Sequence, residues 1–322
     1  MKKRVFVTGV GCIIGEKKEC DGKYYAIEES QYKDIISHIK INNVDRISRQ
    51  CIAATQLMLN NMDNAQEQIS DRCGIFFGTA YGPLDSIHKF DTVSVEKGAL
   101  FVNPSQFPNT VLNSPACRMG IQFDIAGPVY TLSNGITSSL DAIGLGYCQV
   151  RNDISSFVIA GGGDEVSDIQ LKASKSEKTI VEGCGFVALE SDKDASKEGK
   201  VLEIIGYDTF SIHIEDIKQI SYELSSRIRK LAKEANLDKE FWSNLSIYSS
   251  LCKEATKKIS QEIKKSLDHR AISKVVSEDY IGAGGVIQVF EIMKYDRYRY
   301  DEEDLYIILN IDESKATMLL LR

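Results

Sequence analysis

The 322-residue sequence has no Cys-x-x-Cys pair, no basic stripe and only four histidines, His38, His88, His213 and His269. Each shortage removes a class of function. The eight cysteines, at 12, 20, 51, 73, 117, 148, 184 and 252, are scattered. That spacing argues against a metal site and leaves most of the thiols as small buried hydrophobes, so no metal is expected. The histidines fall in no recognisable motif and read as exposed or structural. The formal net charge is −7, whereas a nucleic-acid binder shows a basic footprint; no nucleic-acid partner is expected. The Lys-rich run over 253–265 alternates with Glu and reads as a solvated helix face. No stretch reaches ~18 uninterrupted apolar residues, so no membrane span is expected. The basic start, MKKRVFVTGVG, is followed by glycines and then polar residues. That argues against a signal peptide, and a cytoplasmic location is expected. Gly9, Gly11 and Gly15 miss the dinucleotide fingerprint G-x-G-x-x-G by one position. No cofactor is expected.

What the chain does have is ample apolar material, 43% of residues, for one large core or two fused ones. It is organised around Gly127 to Gly144, GPVYTLSNGITSSLDAIG. A Gly-Pro turn leads into Val129 to Leu132, β-branched and aromatic types that suit a strand. Small polar residues follow, and Leu140, Ala142, Ile143 and Gly144 begin a helical pattern. The reading is a strand, a tight elbow and a helix. Elbows of this form expose one side chain at the top of a sheet, and in many enzymes that side chain is a nucleophile. Here the elbow is Asn134-Gly135-Ile136-Thr137, and Ile136 has nothing to attack with.

Buried strands are expected over 3–10, 72–79, 157–165 and 201–207. Gly9 and Gly11 are read as the turn after the first of them. An amphipathic helix is expected over 215–235, with Ile217, Ile220, Leu224, Ile228 and Leu231 on one face. A short strand at Leu245–Tyr248 and a closing hairpin, 305–309 and 318–321, complete the chain. Two successive βαβ-type halves, 1–200 and 201–322, predict an α/β architecture with helices around mostly parallel sheets.

Several short motifs follow one another in order. They are Asp45-Arg46-Ile47-Ser48-Arg49, Gly74 to Thr79, Asn103 to Ser114, the Gly-Pro elbow, Ala160 to Glu165, and Gly183 to Glu190. Together they resemble the β-ketoacyl synthases, the condensing enzymes of fatty-acid and polyketide assembly, from residue 3 to near 207. The resemblance implies a thiolase-like αβαβα layered fold with two pseudo-symmetric halves. The N-terminal half would be 1–200 and a shortened, diverged C-terminal half 201–322. It also implies a catalytic cysteine at the elbow, two histidines and a lysine. The family's cysteine falls on Ile136, its first histidine on Leu251 and its second on Asp279, while Lys274 falls on the lysine. The closing Gly-rich loop has no counterpart near 311–316, and the excursion expected over 166–181 is mostly absent. No catalytic residue is therefore expected.

The resemblance also supplies a use without catalysis. Type II polyketide systems pair an active ketosynthase with a cysteine-less homologue, the chain-length factor. Many of these carry glutamine where Ile136 stands. The implied partners are an active ketosynthase, in a heterodimer, and an acyl carrier protein bearing an aromatic polyketide or aryl polyene. Val129, Tyr130, Thr131 and Leu132 would form the interface strand. Phe107, Thr110, Val111 and Ser114 would lie on a helix lining the tunnel. Two alternatives stand beside this. One is an active decarboxylase or acyltransferase using a displaced group such as Thr137, Cys184 or Cys117. The other is a scaffold that docks the carrier protein without controlling chain length.

Overall fold

Strands buried on both faces make the frame. The computed structural model describes residues 2–16, 24–39, 43–62, 69, 71–173, 178–191, 202–212, 216–235, 242–267, 272–296 and 305–322. Cys20, His213 and His269 lie outside the described residues. The first run of strands is β1 (Val5–Ile14), β3 (Cys73–Gly78), β4 (Val129–Leu132), β5 (Phe157–Asp164) and β7 (Gly183–Ser191). The second is β8 (Leu202–Ser211), β9 (Trp242–Ser249), β10 (Ile272–Val275), β11 (Leu305–Ile311) and β12 (Lys315–Leu321). All ten join in one sheet, ordered β10-β9-β11-β12-β8-β1-β7-β5-β3-β4. Two short strands, β2 (Tyr24–Tyr25) and β6 (Ile180–Val181), pair apart from it.

The order of connection repeats. Read inward from each edge, each run gives its third, second, fourth, fifth and first strand, and β1 meets β8 antiparallel in the middle. The sheet is not mostly parallel, as the continuous apolar runs suggest. Its middle pairings, β5·β7, β1·β7, β1·β8, β8·β12 and β11·β12, are antiparallel, and only the outer strands run parallel. A strand covered on both faces reads as a continuous run in either direction, so the pattern reports burial and not polarity.

Helices complete five layers. They are α1 (Arg46–Asn60), α2 (Leu84–Lys97), α3 (Ser114–Gln122), α4 (Ser138–Arg151), α5 (Asp168–Ala173), α6 (Ile217–Glu234), α7 (Lys253–Leu267) and α8 (Gly284–Glu291). Helices α1 and α3 cover one face of the first five strands, with Cys51, Met58 and Met119 against Phe77, Phe157 and Phe186. The other face meets α4 and α8, where Leu140, Ile143, Val286 and Val289 pack on Val158, Val187 and Leu189. Ile308 and Leu319 of the second strand run close this same central layer from below. Helices α6 and α7 form the last layer through Leu224, Ile228, Ile259 and Ile263. The alternation along β11 explains the sharing: Tyr306 and Ile308 face the central helices, while Ile307, Leu309 and Ile311 face the outer ones. The architecture is the αβαβα layering expected of a thiolase-like fold.

Strand β1 runs on through Gly9 and Gly11, so these glycines are not a turn. They let α1 lie close. A Cβ on Gly11 would stand 2.3 Å from the Ala54 carbonyl oxygen, a clash that only glycine avoids. Among the described residues, no helix is long and apolar enough to cross a membrane.

Candidate functional site

The elbow folds as its residues require. Gly135 takes φ +59°, a left-handed conformation open to glycine at no steric cost. One 3-10 turn, Gly135–Thr137, then feeds directly into α4. Hydroxyls hold it in place. Ser138 Oγ accepts from the Asn134 N–H at 2.9 Å and lies 2.7 Å from the Gly135 carbonyl. Ser139 Oγ accepts from the N–H groups of Gly285 and Val286 at 3.0 and 3.2 Å, which caps the start of α8. Asp141 is buried and is the anchor. Its carboxylate accepts from Asn134 Nδ2 and Thr137 Oγ1, both at 2.9 Å, from Thr317 Oγ1 at 2.8 Å and from the Tyr207 hydroxyl at 3.2 Å. Lys315 Nζ completes the set. One carboxylate thus ties the elbow to β8 and β12.

Ile136, half-buried at the tip, lines a cleft of about 550 Å³ just past the ends of β3, β9 and β11. Its apolar wall is Leu84, Ile136, Ile169, Ile180 and Ile281. The polar wall holds Lys178, Asp279, Asp312 and Glu313, with Tyr81, Gln170, Tyr248, Ser249 and Ser250. Asp279 Oδ1 accepts from the Tyr248 hydroxyl at 2.8 Å and from the Ile281 N–H at 3.0 Å. That grip holds Ile281 at φ +54°, a conformation β-branched residues rarely take. Lys178 donates to the Ser249 carbonyl and sits 5.7 Å from the Tyr248 ring centre. Burial pushes the Lys178 ammonium below its ordinary pKa, and the nearby Asp279 works against that. Burial, then the charges of Asp164, Asp279 and Asp312, push the Tyr81 phenol up.

Beneath the cleft, Asp164 at the end of β5 gathers the loops. It accepts from Thr79 Oγ1 at 2.7 Å, from Tyr81 N at 2.8 Å and from Ala80 N and Gly282 N, both at 2.9 Å. Burial pushes its pKa up against those bonds. Its neighbour Glu165 accepts from the Asp85 N–H at 3.0 Å, at the start of α2, and faces Arg46 at 3.5 Å. Burial first, with Arg46 opposing, raises the Glu165 pKa to about 7. The sign follows from linkage. Between its unfolded pKa and 7 the folded chain holds a proton the unfolded chain has released, so stability falls as pH rises through that window. Wild type is expected to be more stable at pH 5.5 than at pH 8, by no more than about 1.4 kcal/mol per pH unit from this group. Glu165→Gln flattens that slope in urea titrations at the two pH values; an unchanged slope refutes the assignment.

The degenerate positions expected from sequence are only partly brought together. Ile136 and Asp279 share the cleft. Leu251 does not reach it and packs on the outer α6–α7 core, so that Ser249 and Ser250 line the wall in its stead. Lys274 lies on β10, is exposed and pairs with Glu291; the cleft's ammonium is Lys178. No continuous tunnel helix carries Phe107, Thr110, Val111 and Ser114. A 3-10 helix covers Pro104–Thr110 with Pro108 inside it, Val111 is extended, and α3 starts at Ser114. Proline removes a helical N–H and disfavours the helical region for the residue before it. Phe107 and Val111 are exposed, Thr110 is half-buried, and buried Ser114 donates to Asp45 Oδ2 at 3.1 Å. None of the four lines the cleft. On β4, Val129 and Tyr130 are exposed and Thr131 and Leu132 half-buried.

The displaced nucleophiles fare no better. Thr137 is wholly buried and bonded to Asp141, and Cys184 is wholly buried 3.5 Å from Cys51 Sγ. Cys117 is exposed on α3, away from the cleft. Among the described residues the lining includes no thiol and no imidazole, and no group of three or more His, Cys, Asp or Glu is placed to hold a metal. The sequence reading missed Lys178, Gln170, Tyr81 and Tyr248. Tyr81 and Tyr248 sat beside matched stretches, just after Gly74 to Thr79 and just before Ser249-Ser250, while Gln170 and Lys178 fall in the stretch over 166–181 where the match lapses.

Residues 12–177 match the family described as Beta-ketoacyl synthase, N-terminal domain. The chain is 25% identical over 193 residues to 3-oxoacyl-[acyl-carrier-protein] synthase 2 of Vibrio harveyi, covering 52% of this chain and 46% of that one. It thus spans about half the length of that curated relative. Among solved structures it is similar to the ishigamide ketosynthase/chain length factor, with a TM-score of 0.80 at 16% identity over 99% of both chains. It is similar also to a type II PKS acyl-carrier protein in complex with its ketosynthase bound to the hexaketide. There the TM-score is 0.78 at 14% identity, covering 100% of this chain and 99% of that one. At these identities the structures share the fold.

Proposed function

Since the chain belongs to the beta-ketoacyl synthase family, we propose that it is a non-catalytic chain-length factor. It pairs with an active ketosynthase of a type II polyketide synthase and shapes the space into which the carrier-bound chain grows. One observation carries this reading. An aliphatic side chain stands at the elbow tip, in a cleft lined by carboxylates and by no thiol or imidazole among the described residues. Condensation needs an acylated nucleophile and donors aimed at a developing oxyanion; Asp279 and Asp312 offer that oxyanion the wrong charge. Two features support a partner. Strand β4 is the last strand of the sheet among the described residues, and Val129 and Tyr130 on it, with Ile121 on the adjoining α3, leave apolar surface exposed there, as do Phe107 and Val111 on the segment before α3. Val129 to Leu132 form the paired edge, and Phe107, Thr110 and Val111 face the partner. Ser114 braces that segment from within, through Asp45.

Acyl labelling tests the division of labour. The chain is incubated with labelled acyl carrier protein alone, and again after co-expression with an active ketosynthase. The label is expected on the ketosynthase only. Ile136→Cys is expected to add no condensation above background, because a thiol alone restores neither a base nor an oxyanion site. Turnover by the isolated wild-type chain overturns the reading.

A further inference from the structure

We propose that Lys178 is a carbonyl-capturing amine: in the cleft at Ile136 it forms a reversible imine with an aliphatic aldehyde. This goes beyond the pairing with a ketosynthase and does not rest on it.

Three contacts fix where the nitrogen stands. Lys178 Nζ donates to the Ser249 carbonyl, lies 5.7 Å from the Tyr248 ring centre and is near enough to Asp279 to feel its charge. Ser249, Tyr248 and Asp279 all line the cleft, as Lys178 does, so the amine stands in the cleft wall. Among the described residues it is the one ammonium there. The wall around it is braced, because Asp279 also holds the Tyr248 hydroxyl and the Ile281 N–H. A lysine in partly apolar surroundings keeps more of its uncharged, nucleophilic form than an open one. Burial lowers the Lys178 pKa in that sense, with Asp279 opposing.

The same contacts suit the product. The Lys178 ammonium and an aldehyde give a protonated imine and water. The nitrogen bonds to the carbonyl carbon, the C=O bond breaks, and its oxygen leaves as water with hydrogens from the ammonium. Nothing is oxidised or reduced. The positive charge stays on nitrogen, beside Asp279 and the Tyr248 ring, and the remaining N–H keeps the Ser249 carbonyl as its acceptor. The site therefore gives up none of these contacts when the imine forms. Leu84, Ile136, Ile169, Ile180 and Ile281 supply an aliphatic wall for the alkyl chain, which selects a longer aldehyde over a shorter one.

Reductive capture with cyanoborohydride tests this on the full chain, without any partner subunit, with hexanal and acetaldehyde as probes. Peptide mass mapping reads each lysine separately, including Lys172 and Lys175, the neighbours of Lys178 in sequence. Hexanal is expected to be captured at Lys178 at least about tenfold faster than at exposed Lys89 and Lys265. Relative to those two lysines in the same sample, Lys178 is expected to favour hexanal over acetaldehyde, because only in the cleft does the longer chain bury apolar surface. Ile136→Ser removes part of the aliphatic wall and is expected to lower that preference in a chain whose thermal midpoint shows it folded; the wild-type comparison decides by itself if the variant does not fold. Capture at Lys178 no faster than at the surface lysines overturns the proposal. So does capture there that is indifferent to chain length, or a preference that a folded Ile136→Ser chain keeps in full. A failure here leaves the pairing with a ketosynthase standing, because acyl labelling reads that separately.

Discussion

Asp141→Ala is expected to lower the free energy of unfolding by about 3 kcal/mol or more, read from urea titrations at neutral pH. The carboxylate is 1% exposed and receives donors from the elbow, from β8 and from β12. Its loss strands several of them at once. Lys315 is the partner left charged, and at 27% side-chain exposure it can partly reach water, which holds the cost to the lower end of the range. Leaving the Tyr207 hydroxyl short of an acceptor adds to it, whereas Thr137 and Thr317 keep the Asn134 carbonyl and Thr209 Oγ1 within reach. Asp141→Asn keeps the shape and part of the acceptor capacity, and is expected to fall between the two. A loss below about 1 kcal/mol, within the ordinary spread of single substitutions, would mean that the elbow stands without this carboxylate.

The same residue shows where sequence and structure part company. The elbow itself was legible: a strand, a glycine and a helix start are local, and each has its own residue preferences. The layered fold was legible too, because β-strand and helix periods report burial. Polarity of the strands was not, since the interior strands are covered on both faces. Nor was the anchoring. Asp141 reads as one more small polar residue in TSSLD, and only the close approach of Tyr207, Lys315 and Thr317 makes it a keystone. The cleft has the same character. Ile136 and Asp279 were found because each lies in a matched motif. Lys178 and Gln170 lie in the stretch where the match lapses, and no spacing rule links them to Tyr248, about seventy positions on. Lys274 shows the reverse error of position. It keeps the family's five-residue step to Asp279, yet it points out from β10 to meet Glu291, because strand register and not sequence distance decides which face a side chain takes.

Thr131→Pro is expected to weaken the proposed pairing with a ketosynthase at least about a hundredfold, or ~2.8 kcal/mol. The argument is one of backbone direction. The carbonyls of Pro128 and Leu132 accept from Ile75 N at 2.8 Å and Thr79 N at 2.9 Å, so they turn toward β3. In a strand, successive residues point their N–H and C=O to alternate sides. Val129 and Thr131 therefore present theirs outward, along an edge that has no strand beyond it among the described residues. An open edge of this kind invites pairing with another chain. Proline at 131 removes an outward donor and puts a ring where the second strand would lie, while the β3–β4 ladder keeps its own bonds. Tyr130→Asp attacks the same contact from a side chain: Tyr130 is 52% exposed although its ring stacks on Phe76 at 5.2 Å, and burying an unpaired carboxylate in an interface is costly. Both variants are measured by affinity capture after co-expression and by titration of the purified subunits. Unfolding in urea should leave Thr131→Pro close to wild type, since β4 is an edge. A Thr131→Pro chain that folds and still binds the ketosynthase with unchanged affinity would show that the contact lies elsewhere. The exposed strand would then need another covering, and the chain-length reading would lose its physical footing.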